Sequence, residues 1–426
     1  MNLKINNLNT LIETLAAKDS VNWLKEYRQK KLTQFYEAGI PNTKHEDWKY
    51  TNLSPLTKQT YTFAEELEQI DLTAFQHYHN DDINIVFING VFCEKLSELE
   101  DIPEGVVVSS LEKAIAKGLV SLEDFGTNFK NPHATPFVTL NDSLAHQGSF
   151  IKIKKNIKSS RVIHIVHVAT PTTAPVLSVP RIIINLEESA EAHILESHLT
   201  VDDHISYLAN PLTDIFIKQN AFLYYGKMQR ESIEAFHVGT TRVWQEHDSQ
   251  FDGFSLMSGG ALVRNNIEVL LNGEGAHTAI NGFYSVRAQQ HVDNHTSIEH
   301  RAANCTSHQL YKGILHESSR AVFNGKIIVQ PEAQLTNSYQ LNKNLLLGTD
   351  CRIDTKPQLE IFADDVKCSH GATIGQLNAD ELFYLKTRCI GKQEAIRMLS
   401  RGFVDDVLAT IKSQKIWKKL QCKIPH

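Results

Sequence analysis

The chain has 426 residues, of which 42% are apolar and 22% charged, an ordinary globular composition rather than a disordered or fibrous one. With 43 Lys and Arg against 49 Asp and Glu the net charge is −6, which excludes a general electrostatic attraction to nucleic acid or anionic lipid. No run approaches the ~20 apolar residues that cross a bilayer. The opening MNLKINNLNTLIETL lacks the basic start, apolar stretch and cleavage site of a secretory signal. The cysteines (Cys93, Cys305, Cys351, Cys368, Cys389 and Cys422) are sparse and form no CxxC pair. Neither a disulfide framework nor a zinc ribbon is expected, and a reducing cytoplasm is the expected compartment.

In chain order, residues 1–149 read as an N-terminal domain of mixed helix and strand. Ser20 is the expected N-cap of a helix carrying Trp23, Leu24, Tyr27, Leu32, Phe35 and Tyr36 at helical spacing. Gly39 and Pro41 end it, since Gly suits a C-terminal cap and Pro cannot continue a helix. INIVFINGVF and GVVV, between Ile83 and Val108, read as strands.

From about residue 150 to 376 short β-type runs are divided by Gly, Asn and Asp, and a small residue recurs at Ala192, Ala221, Ser249, Ala276, Cys305 and Ala333, every 27 to 29 residues. A seventh instance, Cys368, follows an apparent insertion around Asp350–Pro357. Such a period in β-rich sequence predicts stacked coils that bury one another's apolar faces, with a parallel β-helix as the natural architecture. Its exposed end strands need caps, which the flanking helical regions can supply. Residues 377–426 return to helix. Asn378 caps a segment with LFYL, Gly391 interrupts, and a second helix carries Ile396, Leu399, Phe403, Val407, Leu408 and Ile411. This apolar face either packs on the rest of the chain or docks a partner.

Catalytic signatures are missing. No GxxxxGK[ST] loop, GxSxG elbow or HExxH helix occurs, so nucleotide hydrolysis and simple acyl transfer are not expected. Of 20 histidines, His291, His295, His300, His308 and His316 lie close in sequence, without the spacing of a known metal motif. KCSHGAT is the sharper candidate. Cys368 and His370 are two apart, so on an extended strand both side chains point the same way, and thiolate and imidazole are both iron ligands. Two groups cannot hold a cluster that usually needs four, and a small thiol is as often a buried apolar residue.

Four segments together resemble the SufB/SufD family of iron–sulfur scaffold subunits: GIPNTKHEDWKYTNL (39–53), DNHTSIEH with NCTSHQLYKGIL (293–315), AVFNGKIIVQPEAQLTNSYQLNKNLLLG (321–348) and IDTKPQLEIFADDVKCSHGATIGQL (353–377). The last, followed by a helix with LFYL, is similar to the SufD branch. The resemblance implies a right-handed parallel β-helix between helical domains, and a noncatalytic subunit pairing with SufB through that helix. It also implies docking of SufC, an ABC-type ATPase, by the C-terminal helices, with Leu382, Phe383, Leu385, Ile396, Leu399, Phe403, Val407 and Leu408 as contacts. The nascent cluster is transient and forms at the SufB interface, to which the resemblance assigns His370 with Cys368 in support. The resemblance also implies reduced flavin associated with the assembled complex, although no segment here resembles a flavin site. Cys351 stands where the SufD branch has a small apolar residue and SufB its cluster-forming cysteine. It is either a filler or an added thiolate, in the second case also for a homodimer formed without SufB. The alternatives are a SufB-like carrier and a polysaccharide-active β-helix enzyme; the scattered carboxylates of the repeat argue against the latter.

Overall fold

Strands that alternate inward and outward residues cannot bury a face alone, and here they stack into a parallel solenoid with two long sheets. The computed structural model describes residues 3–6, 8, 14–15, 21–64, 82–97, 99, 101–126 and 136–423; Ser20, the expected N-cap, lies outside them, and helix α1 is described from Asn22 to Ala38. The first sheet ends with Gln250–Met257, His277–Val286, Thr306–Leu315, Thr336–Leu346 and Val366–Gly375 side by side. The second ends with Phe236–Gln245, Leu262–Leu271, His291–His300, Arg320–Val329 and Arg352–Ile361. Successive strands of each sheet pair in parallel, which makes the expected β-helix a parallel β-solenoid of about eight turns. Ile83–Ile88 and Val106–Ser110, from the N-terminal region, extend the two sheets.

The repeat has a physical origin at one corner. Ser189, Asn220, Asp248, Gly275, Asn304 and Leu335 each have positive φ, and each is followed by the residue that starts the next stacked column. Register places Ala190, Ala221, Ser249, Ala276, Cys305 and Thr336 in that column. Left-handed backbone favours Gly, Asn and Asp, and a small inward side chain follows because the corner is tight. The register corrects the sequence alignment at three points. Ala192 lies two residues past the column, Ala333 three residues before it in a longer turn, and Cys368 two residues past Val366. The expected insertion at Asp350–Pro357 is confined to the turn before Arg352, because Pro357 already pairs with Gly325 inside the strand. Pro there is tolerated because that strand is an edge.

The interior divides along its length. Ile163, Ile165, Ile184, Ile194, Ile215, Ile217, Leu223, Val269 and Ile280 form an apolar core. Further along, the inward positions of the last coils are Gln309, Ser338, Gln340, Asn342 and Asn344, all buried; Gln340 donates to Gln309 at 2.8 Å and Asn344 to Asn342 at 2.6 Å. Buried amides of this kind are tolerated because they bond one another.

The outer faces are covered unequally. Over the second sheet lie α1, the Gly39–Leu53 segment, α2 (Ser54–Lys58), α3 (Leu111–Ala116) and α4 (Pro136–Leu144). Gly39, at φ 63°, caps α1 as expected, its N–H donating to the Phe35 carbonyl. The motif HEDWKYTN meets the motif DNHTSIEH directly: the Arg264 guanidinium lies 3.9 Å from the Trp48 ring centroid and donates to Asp293 at 2.8 Å, and Thr51 donates to Asp293 at 2.5 Å. A second buried network joins α4 to the sheet. Arg181 bridges Asp142 and Asp214 at 2.6 and 2.5 Å, and Arg242 donates to Asp214 at 2.6 Å.

Three C-terminal helices run outside the first sheet: α5 (Ala379–Thr387), α6 (Lys392–Leu408) and α7 (Gln414–Leu420). The Asn378 side chain accepts from the Asp380 N–H, the cap expected from the sequence. Val404, Val407, Leu408, Ile416 and Leu420 pack on Leu195, Met228, Phe254 and Phe283. Gly226 permits this approach, since a Cβ there would lie 2.8 Å from Ile416 Cγ2. Lys312 locks α6 by donating to the Phe403 carbonyl at 2.7 Å and to Asp406 at 2.9 Å.

Candidate functional site

The covering elements leave the last strand of the first sheet bare, although on the second sheet the Gly39–Leu53 segment reaches the last coil, where Glu46 pairs with Lys356. In Val366–Gly375 no residue is buried, whereas Thr306–Leu315, two coils earlier, is mostly buried. Ile361, Phe362 and Ile374 are exposed at this end, Phe362 by 59% and Ile374 by 50%, with Leu335 and Tyr339 beside them. An edge strand with unpaired backbone groups and apolar neighbours is a template for another chain.

Cys368 and His370 lie on this strand, paired in register with Ser338 and Gln340. Ser338 and Gln340 are inward positions, so both candidate ligands sit on the inward side of the last strand, where the interior opens to the end of the molecule. His370 is exposed and Cys368 half-buried against Ile327 and Val329. Partial burial pushes the Cys368 thiol up, partly offset by the Ser338 backbone N–H. Cys368 is therefore a neutral thiol that becomes a good ligand when a metal displaces its proton.

Cys351 occupies the opposite corner. It precedes strand Arg352–Ile361, its thiol lies 3.1 Å from the Gly348 carbonyl, and it packs with the cluster of Val286, Leu315 and Ile353. That cluster lies where the Val366–Gly375 strand ends, five residues beyond His370 or about 16 Å along an extended strand. Within one chain the fold brings Cys368 and His370 together and leaves Cys351 apart.

The histidine set singled out in sequence scatters. His291 bonds Thr51 and His295 faces Asp293 in the N-terminal clasp. His300 bonds Ser307 inside the solenoid, His308 stacks on Tyr339 outside it, and His316 lines a groove under α6.

The helices expected from the sequence to dock a partner divide likewise. Val407 and Leu408 are buried on the chain's own sheet, and Phe403 is half-buried over Lys312. Leu382, Leu385, Ile396 and Leu399 are half-buried, while Phe383, Tyr384 and Met398 are exposed, Phe383 by 68%. Beneath the first half of α6 runs a groove of about 1070 Å³ lined by Ile314, Leu347, Ile396 and Met398 with Arg287, Arg397 and Arg401. Tyr384 and Met398 are contact candidates that sequence reasoning passed over; Tyr384 stood in the quoted LFYL, and its signal was an aromatic next to Phe383 on a short helix with no buried residue.

Residues 168–403 match the family described as SUF system FeS cluster assembly, SufBD core domain, and residues 4–165 match the SufBD protein N-terminal region. The iron–sulfur cluster assembly protein SufD of Escherichia coli is 32% identical over 401 residues, covering 93% of this chain and 91% of that protein. An iron–sulfur cluster assembly SufBD family protein of Synechocystis is 30% identical, covering 90% and 86%. SufB of Bacillus subtilis is 22% identical, covering 91% and 86%. With both family regions matched along nearly the whole chain, and the bare solenoid end carrying the segment that resembles the SufD branch, the chain belongs to the SufBD family of iron–sulfur cluster assembly proteins.

Proposed function

We propose that this chain is a noncatalytic scaffold subunit that pairs through its open solenoid end with a SufB-like sister and docks an ABC-type ATPase, SufC, through α5 and the first half of α6. The observation that carries the pairing is the bare last strand of the first sheet, Val366–Gly375, over which no covering element lies among the described residues, with Phe362 and Ile374 exposed beside it. Two such ends meeting about a two-fold axis run their last strands antiparallel. The Cys351 corner of one then lies against the Cys368 corner of the other. In that arrangement His370 and Cys368 contribute ligands to a cluster whose remaining ligands come from the sister, and the cluster is cargo, built and passed on. Exposed Phe383, Tyr384 and Met398 beside the groove support the docking face, and the same helices, fastened by Lys312, transmit nucleotide-driven movement to the solenoid. Among the described residues no helix is long and apolar enough to cross a membrane, in keeping with work in the cytoplasm.

The test is anaerobic copurification of the tagged chain with a SufB-like sister and the ATPase, followed by His370→Ala in the full complex. Recovery of the complex, with cluster yield reduced in the variant, supports the reading. Wild-type yield with intact assembly removes His370 from it, and recovery of the chain alone withdraws the pairing.

A further inference from the structure

Far from the open end, a buried set of ionisable groups lies inside the solenoid. His167, Glu196 and His198 come from adjacent strands of the first sheet, Glu231 from the turn after Phe222–Arg230, and His237 from the second sheet. All five are buried. The potential ligand atoms form two overlapping triples, His167/Glu196/His198 and His198/Glu231/His237, each with its atoms within 4.8 Å of one another.

The surroundings orient these atoms. Thr213 and Tyr225 donate to Oε2 of Glu196 at 2.8 and 2.5 Å, leaving Oε1 facing His198 Nε2 at 2.7 Å and His167 Nε2 at 3.9 Å. Tyr207 donates to Oε1 of Glu231 at 3.0 Å, leaving Oε2 to Gln229 at 2.9 Å and to His237 Nδ1 at 2.8 Å. The contact to His237 lacks hydrogen-bond geometry, and among the described residues neither ring nitrogen of His167 or His237 has a hydrogen-bond partner. Buried imidazoles left so are costly in an apolar interior. One carboxylate oxygen held by hydroxyl donors while the other faces imidazoles is how outer partners orient metal-ligating carboxylates. A cavity of about 20 Å³, room for one small ion or water, is lined by His167, His198, Tyr207 and Glu231 beside the Asn89–Gly90 turn.

We propose that this cluster is a binding site for one divalent first-row transition-metal ion, held by His198, which is common to both triples, together with ligands drawn from His167, Glu196, Glu231 and His237. Two or three imidazoles with carboxylates suit Zn²⁺, Fe²⁺ or Co²⁺ rather than Mg²⁺ or Ca²⁺. The protonation states agree. Burial opposes ionisation of Glu231, but His237, His198 and Gln229 bring it down to about 2, and burial keeps His167 and His237 neutral. Lys227 is the competitor: its ammonium lies buried between Glu196 and Glu231 and has no hydrogen-bond partner. Burial pushes it toward the neutral form, which would let the ion take over its charge-balancing role.

The site is tested in the full-length chain, stripped with chelator and titrated anaerobically with Co²⁺, whose visible absorption reports coordination number. Cys351→Ala, Cys368→Ala and His370→Ala are combined as background so that the open end cannot contribute. The expected result is one Co²⁺ per chain with a four- or five-coordinate spectrum. Affinity should fall roughly tenfold or more in His198→Ala and Glu231→Gln, the scale on which ligand-shell changes act, and rise in Lys227→Met. Far-UV circular dichroism checks folding; if His198→Ala does not fold, Glu231→Gln and His167→Asn decide. Binding unaffected by these changes, or absent in the background variant while present in the unmodified chain, overturns the proposal.

Discussion

Strand Gly148–Ile153 near the start of the solenoid is buried at every position but one, and strand Val366–Gly375 at its far end is buried at none. Both pair in parallel with the adjacent coil, Gly148–Ile153 also taking Val106–Ser110 as an antiparallel neighbour, and they differ in what the rest of the chain lays over them. Over the start and along the second sheet, helices α1 to α4 and the Gly39–Leu53 segment bury apolar residues on the solenoid, with buried ions fixing α4 and the Gly39–Leu53 segment, and the outermost strand of the first sheet at the start, Val91–Phe92, is only two residues long. At the far end the edge is ten residues long and flanked by exposed Phe362 and Ile374. Cover at one end stabilises a fold; its absence at the other leaves a surface that an incoming chain can complete.

The contrast can be broken at the covered end first. Asp214 balances both Arg181 and Arg242, so Asp214→Ala leaves two buried guanidiniums short of charge and should destabilise the protein by about 3–5 kcal/mol, read from urea unfolding. Trp48→Ala removes a buried ring stacked on Arg264 and should cost roughly 3 kcal/mol, with loss of protection in the Gly39–Leu53 segment by hydrogen exchange. Acid should act on the same covering elements. Burial raises Asp142, but Arg181, Arg242 and Lys31 outweigh it and hold it below the usual range, and Arg264 with His295 does the same for Asp293. A depressed carboxylate stabilises the fold above its unfolded pKa of about 4 and loses that contribution as pH falls toward the folded value. Thermal midpoints should therefore drop as pH is lowered from about 5 to 3, with Asp142→Asn showing a flatter profile.

At the bare end the pattern reverses. Ile374→Asp should change stability by no more than about 0.5 kcal/mol, as exposed substitutions do, yet abolish copurification with a SufB-like sister. The smallest effect tests the corner. Leu335 has φ 59° and is more than half exposed, so Leu335→Asn should gain up to about 1 kcal/mol by easing a left-handed backbone, seen as a raised thermal midpoint.

Strand alternation and the 28-residue rhythm were legible because the corner writes them into sequence as Asn220–Ala221, Asp248–Ser249, Gly275–Ala276 and Asn304–Cys305. The rhythm slipped at Ala192, Ala333 and Cys368, where small size alone was followed without the left-handed residue before it. Cys368 and His370 were legible as neighbours because a strand has a period of two. The separation of Cys351 was not, since one turn of the solenoid places residues near in sequence at opposite corners. Nor was the division of α6: Val407 and Met398 share a helix, and only the sheet beneath decides which is covered. The buried histidines escaped notice because His198 and His237 meet only across the two sheets.

The unequal ends also govern how many copies can join. A rod sticky at both tips grows without limit, as fibres do. Here Pro357 removes one backbone donor from the outermost strand of the second sheet, the other tip ends in the short strands Val91–Phe92 and Val106–Ser110, and among the described residues the longest edge without a proline is Val366–Gly375. Joining at that edge consumes it on both participants, so growth halts at a pair.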